Sequence, residues 1–76
     1  MNKSRRKELE KAISLIEDAK QIIESVKDEE EESFYNLSEN LQSSERGQKM
    51  EENVSSLDEM IGNLDDVIEN INIVSE

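Results

Sequence analysis

Carboxylates are the side chains whose number and spacing in this sequence suggest chemistry. The pairs Glu51/Glu52, Asp58/Glu59 and Asp65/Asp66 recur every seven residues, and Asp28, Glu29, Glu30, Glu31 and Glu32 run without a break. Acidic groups so arranged would suit three tasks: holding a divalent cation, acid–base or magnesium-assisted hydrolysis, or presenting a negative surface to a basic partner. The tasks differ in the geometry they need. A calcium loop alternates its ligands around a central Gly, which the Asp28–Glu32 run lacks. Adjacent carboxylates on a helix point around the cylinder and do not converge on one ion. A ferritin-like di-iron centre needs Glu-x-x-His, and the chain has no His. No metal and no cofactor is expected.

Hydrolysis fares no better. Without His or Cys there is no ordinary base or nucleophile near neutral pH, and Ser43 and Ser44 have no base beside them. All-helical nucleotide pyrophosphatases work with carboxylates alone, in a Glu-Glu-x-x-Glu motif followed by Glu-x-x-Asp. Fragments of that pattern can be assembled from Glu29, Glu32, Glu51, Glu52 and Asp66, but the basic and aromatic residues that would hold a nucleotide are missing. The chain is therefore expected not to be an enzyme. Surface display is left. With 20 acidic against 9 basic residues the net charge is −11, which disfavours direct binding of nucleic acid or anionic membrane. The expected partner is a protein with a basic surface, bound through Asp28–Glu32 and the ladder Glu51, Glu52, Asp58, Glu59, Asp65 and Asp66. The competing expectation is a coiled-coil oligomerisation module whose acidic flanks only keep it soluble.

The elements that must position these groups are helices. Met50, Val54, Leu57, Ile61, Leu64, Ile68 and Ile71 alternate in steps of four and three, the spacing of a coiled-coil seam. Upstream, Leu9, Ala12, Ile16, Ala19, Ile23 and Val26 step by three and four, with Ile13, Leu15 and Ile22 widening the stripe. Met60, Val67 and Val74 widen the second stripe in the same way. The expected fold is all-α: one domain over residues 1–76, an antiparallel two-helix hairpin. Its first helix spans residues 4–32 from an N-cap at Ser4, its linker residues 33–43, and its second helix residues 44–74. Phe34, Leu37 and Leu41 would close the linker end as an apolar lid, and Gly47, in line with the seam, would admit a close neighbour.

Seventy-six residues without Cys or His have no disulfide or zinc staple. Stripes broader than a two-helix seam point to a homodimer of hairpins forming a four-helix bundle. No apolar stretch reaches the roughly 20 residues of a membrane span, and Glu8 and Glu10 interrupt the basic start where a secretory signal would be apolar. A cytoplasmic location is expected.

One pattern resists an isolated-helix reading. Lys3, Arg5, Arg6, Lys7 and Lys11 against Glu8 and Glu10 give residues 1–11 a charge of +3, and residues 12–76 carry −14. Cations at the N-terminus of the first helix and acids at its C-terminus both oppose the helix dipole. Antiparallel pairing would set the basic start beside Asp65, Asp66, Glu69 and Glu76.

The stretch from Asn36 to Glu52, Asn-Leu-Ser-Glu-Asn-Leu-Gln-Ser-Ser-Glu-Arg-Gly-Gln-Lys-Met-Glu-Glu, is followed by acidic heptads. Over residues 34–70 it resembles small uncharacterised acidic helical proteins encoded in phages and mobile elements of Gram-positive bacteria. Their pattern is similar to Asn-x-Pro-Glu-x-Leu-Gln-x-Ser-Glu-Arg-Gly followed by Met/Leu-Glu-Glu-Ala units. Ser38 stands here where Pro is common, and Asn, Met and Val take positions often held by Ala. The group supplies no catalytic residues to carry over. The resemblance implies a phage or mobile-element setting, in which small acidic proteins often inhibit host factors.

Overall fold

Asn2 opens the first helix. In the computed structural model, which describes residues Met1–Glu76, its side-chain oxygen accepts from the Arg5 N–H at 2.8 Å. The cap is thus Asn2, two residues before the expected Ser4, because Asn offers an acceptor of the right reach earlier in the chain. Helix α1 runs from Lys3 to Tyr35. It passes the expected end at Glu32, since Ser33 is tolerated inside a helix when no Gly or Pro follows to break it. The Asn36 N–H closes it on the carbonyls of Glu32 and Phe34.

The expected linker contains a turn of helix of its own. Helix α2 spans Glu39–Gln42, with Ser38 as N-cap, and helix α3 spans Glu45–Val74, with Ser44 as N-cap. Each cap hydroxyl accepts a backbone N–H three residues on: Leu41 for Ser38 at 3.4 Å, Gly47 for Ser44 at 3.3 Å. The Gln42 side-chain amide donates to the Leu37 carbonyl at 3.1 Å and the Phe34 carbonyl at 3.5 Å, tying α2 to the end of α1. Of the expected lid, Phe34 and Leu37 are half-buried, whereas Leu41 is 48% exposed. Gly47 is the one fully buried residue. A Cβ there would stand 2.6 Å from the Leu41 carbonyl oxygen and closer still to that of Gln42, so the first turn of α3 can meet α2 only with hydrogen at this position.

The chain is 88% helical with no strand, measures 58 × 15 × 12 Å, and lays α1 antiparallel along α3. Lys20 meets Asp65 and Lys27 meets Asp58, so seven residues forward on α1 match seven residues back on α3. On α3 the half-buried positions include Met50, Val54, Leu57, Ile61, Leu64, Ile68 and Ile71. On α1 they include Leu9, Ile13, Ile16, Lys20, Ile23, Lys27, Glu30 and Phe34, with Ala12 beside them. Here the structure corrects the sequence reading: Val26 and Ala19 lie outside the seam, with Val26 46% exposed. From Ile16 the helix offers two phases of the same repeat, through Ala19 and Val26 or through Lys20 and Lys27. The second wins because a lysine stem covers apolar surface while its ammonium reaches an aspartate on the partner helix. No apolar side chain becomes fully buried.

The two glycines should respond oppositely to alanine. Gly62 has nothing within 4 Å of a would-be Cβ, so Gly62→Ala should stabilise by about 1 kcal/mol through helix propensity. Gly47→Ala gains the same propensity but must push α2 away, and should destabilise by about 1–3 kcal/mol net. Urea unfolding followed by circular dichroism measures both.

Candidate acidic interaction face

The register of α1 on α3 divides the hairpin lengthwise into two unlike faces. On one, Glu17, Glu24 and Glu31 of α1 border the seam at seven-residue intervals, with Glu10 in the same series. Across from them stand Glu51, Asp58 and Asp65 of α3, at the same interval. Glu17, Lys20, Gln21, Glu24, Asp65 and Ile68 line one shallow recess on this face, and Glu31, Phe34, Tyr35, Glu51 and Val54 line most of another. Of the α1 carboxylates in this face, the sequence reading named Glu31 and missed Glu17 and Glu24. Their signal is a repeat of single Glu residues, masked by the more conspicuous acidic pairs and by an apolar stripe that points to a different phase of the seam.

Two lysines of α1 lie between the two rows and reach across to α3. The Lys20 ammonium lies 2.6 Å from Asp65 Oδ1 and 4.0 Å from Glu24 Oε1, and the Lys27 ammonium lies 3.0 Å from Asp58 Oδ1. Each lysine is held above its ordinary value of 10.5, first by its hydrogen bond, to Asp65 for Lys20 and to Asp58 for Lys27, and further by neighbouring carboxylates. Asp58 and Asp65 are therefore engaged within the hairpin. Glu52, Glu59 and Asp66, one residue further round, are exposed and free of ion pairs. Successive members lie about 10.5 Å apart along the helix.

The Asp28–Glu32 run does not form one surface. Five consecutive residues sweep more than a full helical turn, so their side chains diverge. Glu30 is half-buried on the far side, where its carboxylate accepts from Asn53 Nδ2 at 3.2 Å. Glu31 is half-buried near Glu51, on the acidic face. Asp28, Glu29 and Glu32 are exposed. Nor does the basic start reach Asp65 and Asp66 as expected. The Lys20–Asp65 contact puts those aspartates about halfway along α1, and Lys3, Arg5 and Lys7 make no ion pair. Arg6 donates to the Glu76 backbone carbonyl at 3.4 Å, and Lys11 meets Glu8 of its own helix at 3.9 Å.

The opposite face is apolar. Leu15 and Ile22 are 68% and 65% exposed, and Val26, Met60, Val67 and Val74 are also exposed, to about half. Leu9, Val67, Ile71 and Val74, with Asn70, frame a recess there. No three acidic side chains stand close enough to share a metal ion, and no helix is long and apolar enough to cross a membrane. No protein-family model, curated protein or solved structure matches the chain.

The lysine bridges predict an alkaline transition. A lysine whose value is raised on folding contributes its full stabilisation below the unfolded value of 10.5 and loses it as pH rises through the folded value. Thermal unfolding should therefore show a nearly constant midpoint from pH 8 to 10 and a fall above 10.5. The fall should be clearly smaller in a Lys20→Met/Lys27→Met variant. An equal fall in both proteins would show that the bridges do not contribute.

Proposed function

We propose that this chain is a non-enzymatic interaction protein that binds a basic surface of another protein and occludes it with carboxylates. One observation carries this reading: two rows of acidic residues on neighbouring helices face the same way, with only Lys20 and Lys27 between them. The groups offered to the partner are the exposed Glu52, Glu59 and Asp66, with Glu51 and Glu31 at the linker end and Asp28 and Glu32 at the end of α1, whereas Glu29 lies on the side of Val26. Asp58 and Asp65 contribute through the bridges they make. A basic surface of this kind commonly serves nucleic-acid binding, and the resemblance of residues 34–70 to phage and mobile-element proteins supports a host factor as the target. The chain itself self-associates through its apolar face, hairpin against hairpin, as a four-helix bundle. That no apolar side chain of the single hairpin is fully buried favours this association.

A second reading, an oligomerisation module without a charge-specific partner, is favoured by the internal use of Asp58 and Asp65. Salt and charge separate the two. The protein immobilised in lysate should retain a basic protein at about 0.05 M salt and release it by about 0.3 M, as screening shortens the reach of exposed charges. The variant Glu52→Gln/Glu59→Gln/Asp66→Asn, which leaves the lysine bridges intact, should retain at least tenfold less. Equal retention by the variant, or no specific retention at all, would leave the oligomerisation module.

A further inference from the structure

The apolar face has an internal symmetry that specifies how a second copy lies on it. On α1 the stripe outside the seam is Leu15, Ala19, Ile22 and Val26, continued by the half-buried Ala12. Ala19 is its centre and also the midpoint of α1, which runs from Lys3 to Tyr35. Read outward from Ala19, Ala12 answers Val26 at seven residues each way, and Leu15 answers Ile22 to within one residue. On α3 the stripe is Met60, Val67 and Val74, centred on Val67 with its ends seven residues away. The two centres lie at the same height. The Lys20–Asp65 contact puts Ala19 level with Asp66, one residue from Val67. Both stripes also open on the same side of the hairpin: Leu9 of α1 shares its recess with Val67 and Val74, while the Lys20 and Lys27 bridges occupy the other side.

We propose that two hairpins pack these faces end over end about a two-fold axis passing beside Ala19 and Val67, so that α1 lies antiparallel on α1 of the second copy and α3 on α3. This rests on the self-association proposed above and adds its orientation. The axis seats each apolar residue on another: Ala12 on Val26, Leu15 on Ile22, Met60 on Val74. Ala19 meets its own counterpart, and its small side chain permits close approach of the two α1 helices. Beyond Met60, towards the linker, the equivalent stripe positions on α3 are Asn53 and Arg46. The α3 of the second copy ends opposite Met60 in this arrangement, so the apolar stripe stops where its partner does.

Charge selects this orientation over the other two-fold packing of the same faces. If the hairpins lay with their linker ends together, the Asp28–Glu32 runs of both copies would be neighbours, and so would both basic starts. End over end, the basic start of one copy (residues 3–7) comes level with residues 31–35 of the other, next to the Asp28–Glu32 run, by equal counting from Ala19. Segments of opposite sign then meet at both ends of the dimer. The basic start, which finds almost no partner in the single hairpin, obtains one. Both acidic faces point outward on opposite sides, making the dimer bivalent for a basic partner.

The chain has no cysteine, so single substitutions report proximity cleanly. Ala19→Cys should yield a disulfide-linked dimer in most of the protein under mild oxidation, because symmetry-related Cα atoms at the axis come within bonding range. Asn40→Cys, at the linker tip, should stay unlinked. Sedimentation equilibrium of the reduced proteins supplies the independent readout. A dimer in which the Asn40→Cys variant links and the Ala19→Cys variant does not overturns the end-over-end orientation while leaving the bundle intact. A dimer in which neither variant links overturns it equally. A monomer at all concentrations removes the bundle and with it this inference.

Discussion

Two lysines in a largely apolar seam fix which side of α1 is turned towards α3. An uninterrupted apolar stripe permits sliding by one heptad at modest cost, because every heptad offers similar contacts. The connection through α2, tied to the end of α1 by Gln42 and packed on α3 at Gly47, removes that freedom. Lys20 and Lys27 fix the phase of α1, since turning it to the stripe of Ala19 and Val26 would part each ammonium from its aspartate. Solvent-facing ion pairs of this kind add little to stability. Their value is in specifying one phase of α1, and the stabilisation itself comes from the half-buried Ile, Leu, Val and Met side chains on either side.

Phase in turn decides which residues share a face. With Lys20 opposite Asp65, the heptad series of Glu on α1 and the acidic series on α3 line the same flank, and Leu15, Ile22, Val26, Met60, Val67 and Val74 line the other. A helix pair in this phase is negative on one side and greasy on the other. Neither face is satisfied within a single chain: no apolar side chain is fully buried, and the carboxylates outnumber the cations that bridge them. Both the proposed contact with a basic partner and the proposed contact with a second copy answer to that one imbalance, on opposite sides of the molecule.

The sequence made the helical architecture legible because heptad spacing survives without any tertiary information. The seam of α3, from Met50 to Ile71, is visible as a 4-3 alternation with little apolar competition beyond Met60, Val67 and Val74. The seam of α1 was harder, since Ala12, Ala19 and Val26 offer an apolar phase as regular as the true one. Hydrophobicity chooses the wrong stripe there. The decision is made by Asp58 and Asp65 on another helix, which a one-dimensional reading does not bring near Lys27 and Lys20. The same displacement concealed Glu17 and Glu24, and it made Asp28–Glu32 look like one surface when helical geometry spreads it around the cylinder. The α2 turn escaped notice because its anchor, the bare backbone contact at Gly47, depends on the fold being in place.

The phase of α1 is the claim on which both faces depend, and methyl–methyl nuclear Overhauser contacts test it most directly. With isotope filtering to isolate contacts within one chain, Ile23 should show cross-peaks to Ile61 and Leu64, and Ile16 to Ile68, while Leu15, Ile22 and Val26 show none to the α3 seam. Strong intrachain cross-peaks from Val26 to Leu57 or from Ile22 to Ile61, with Ile23 silent, would contradict the account and dissolve the two-faced hairpin.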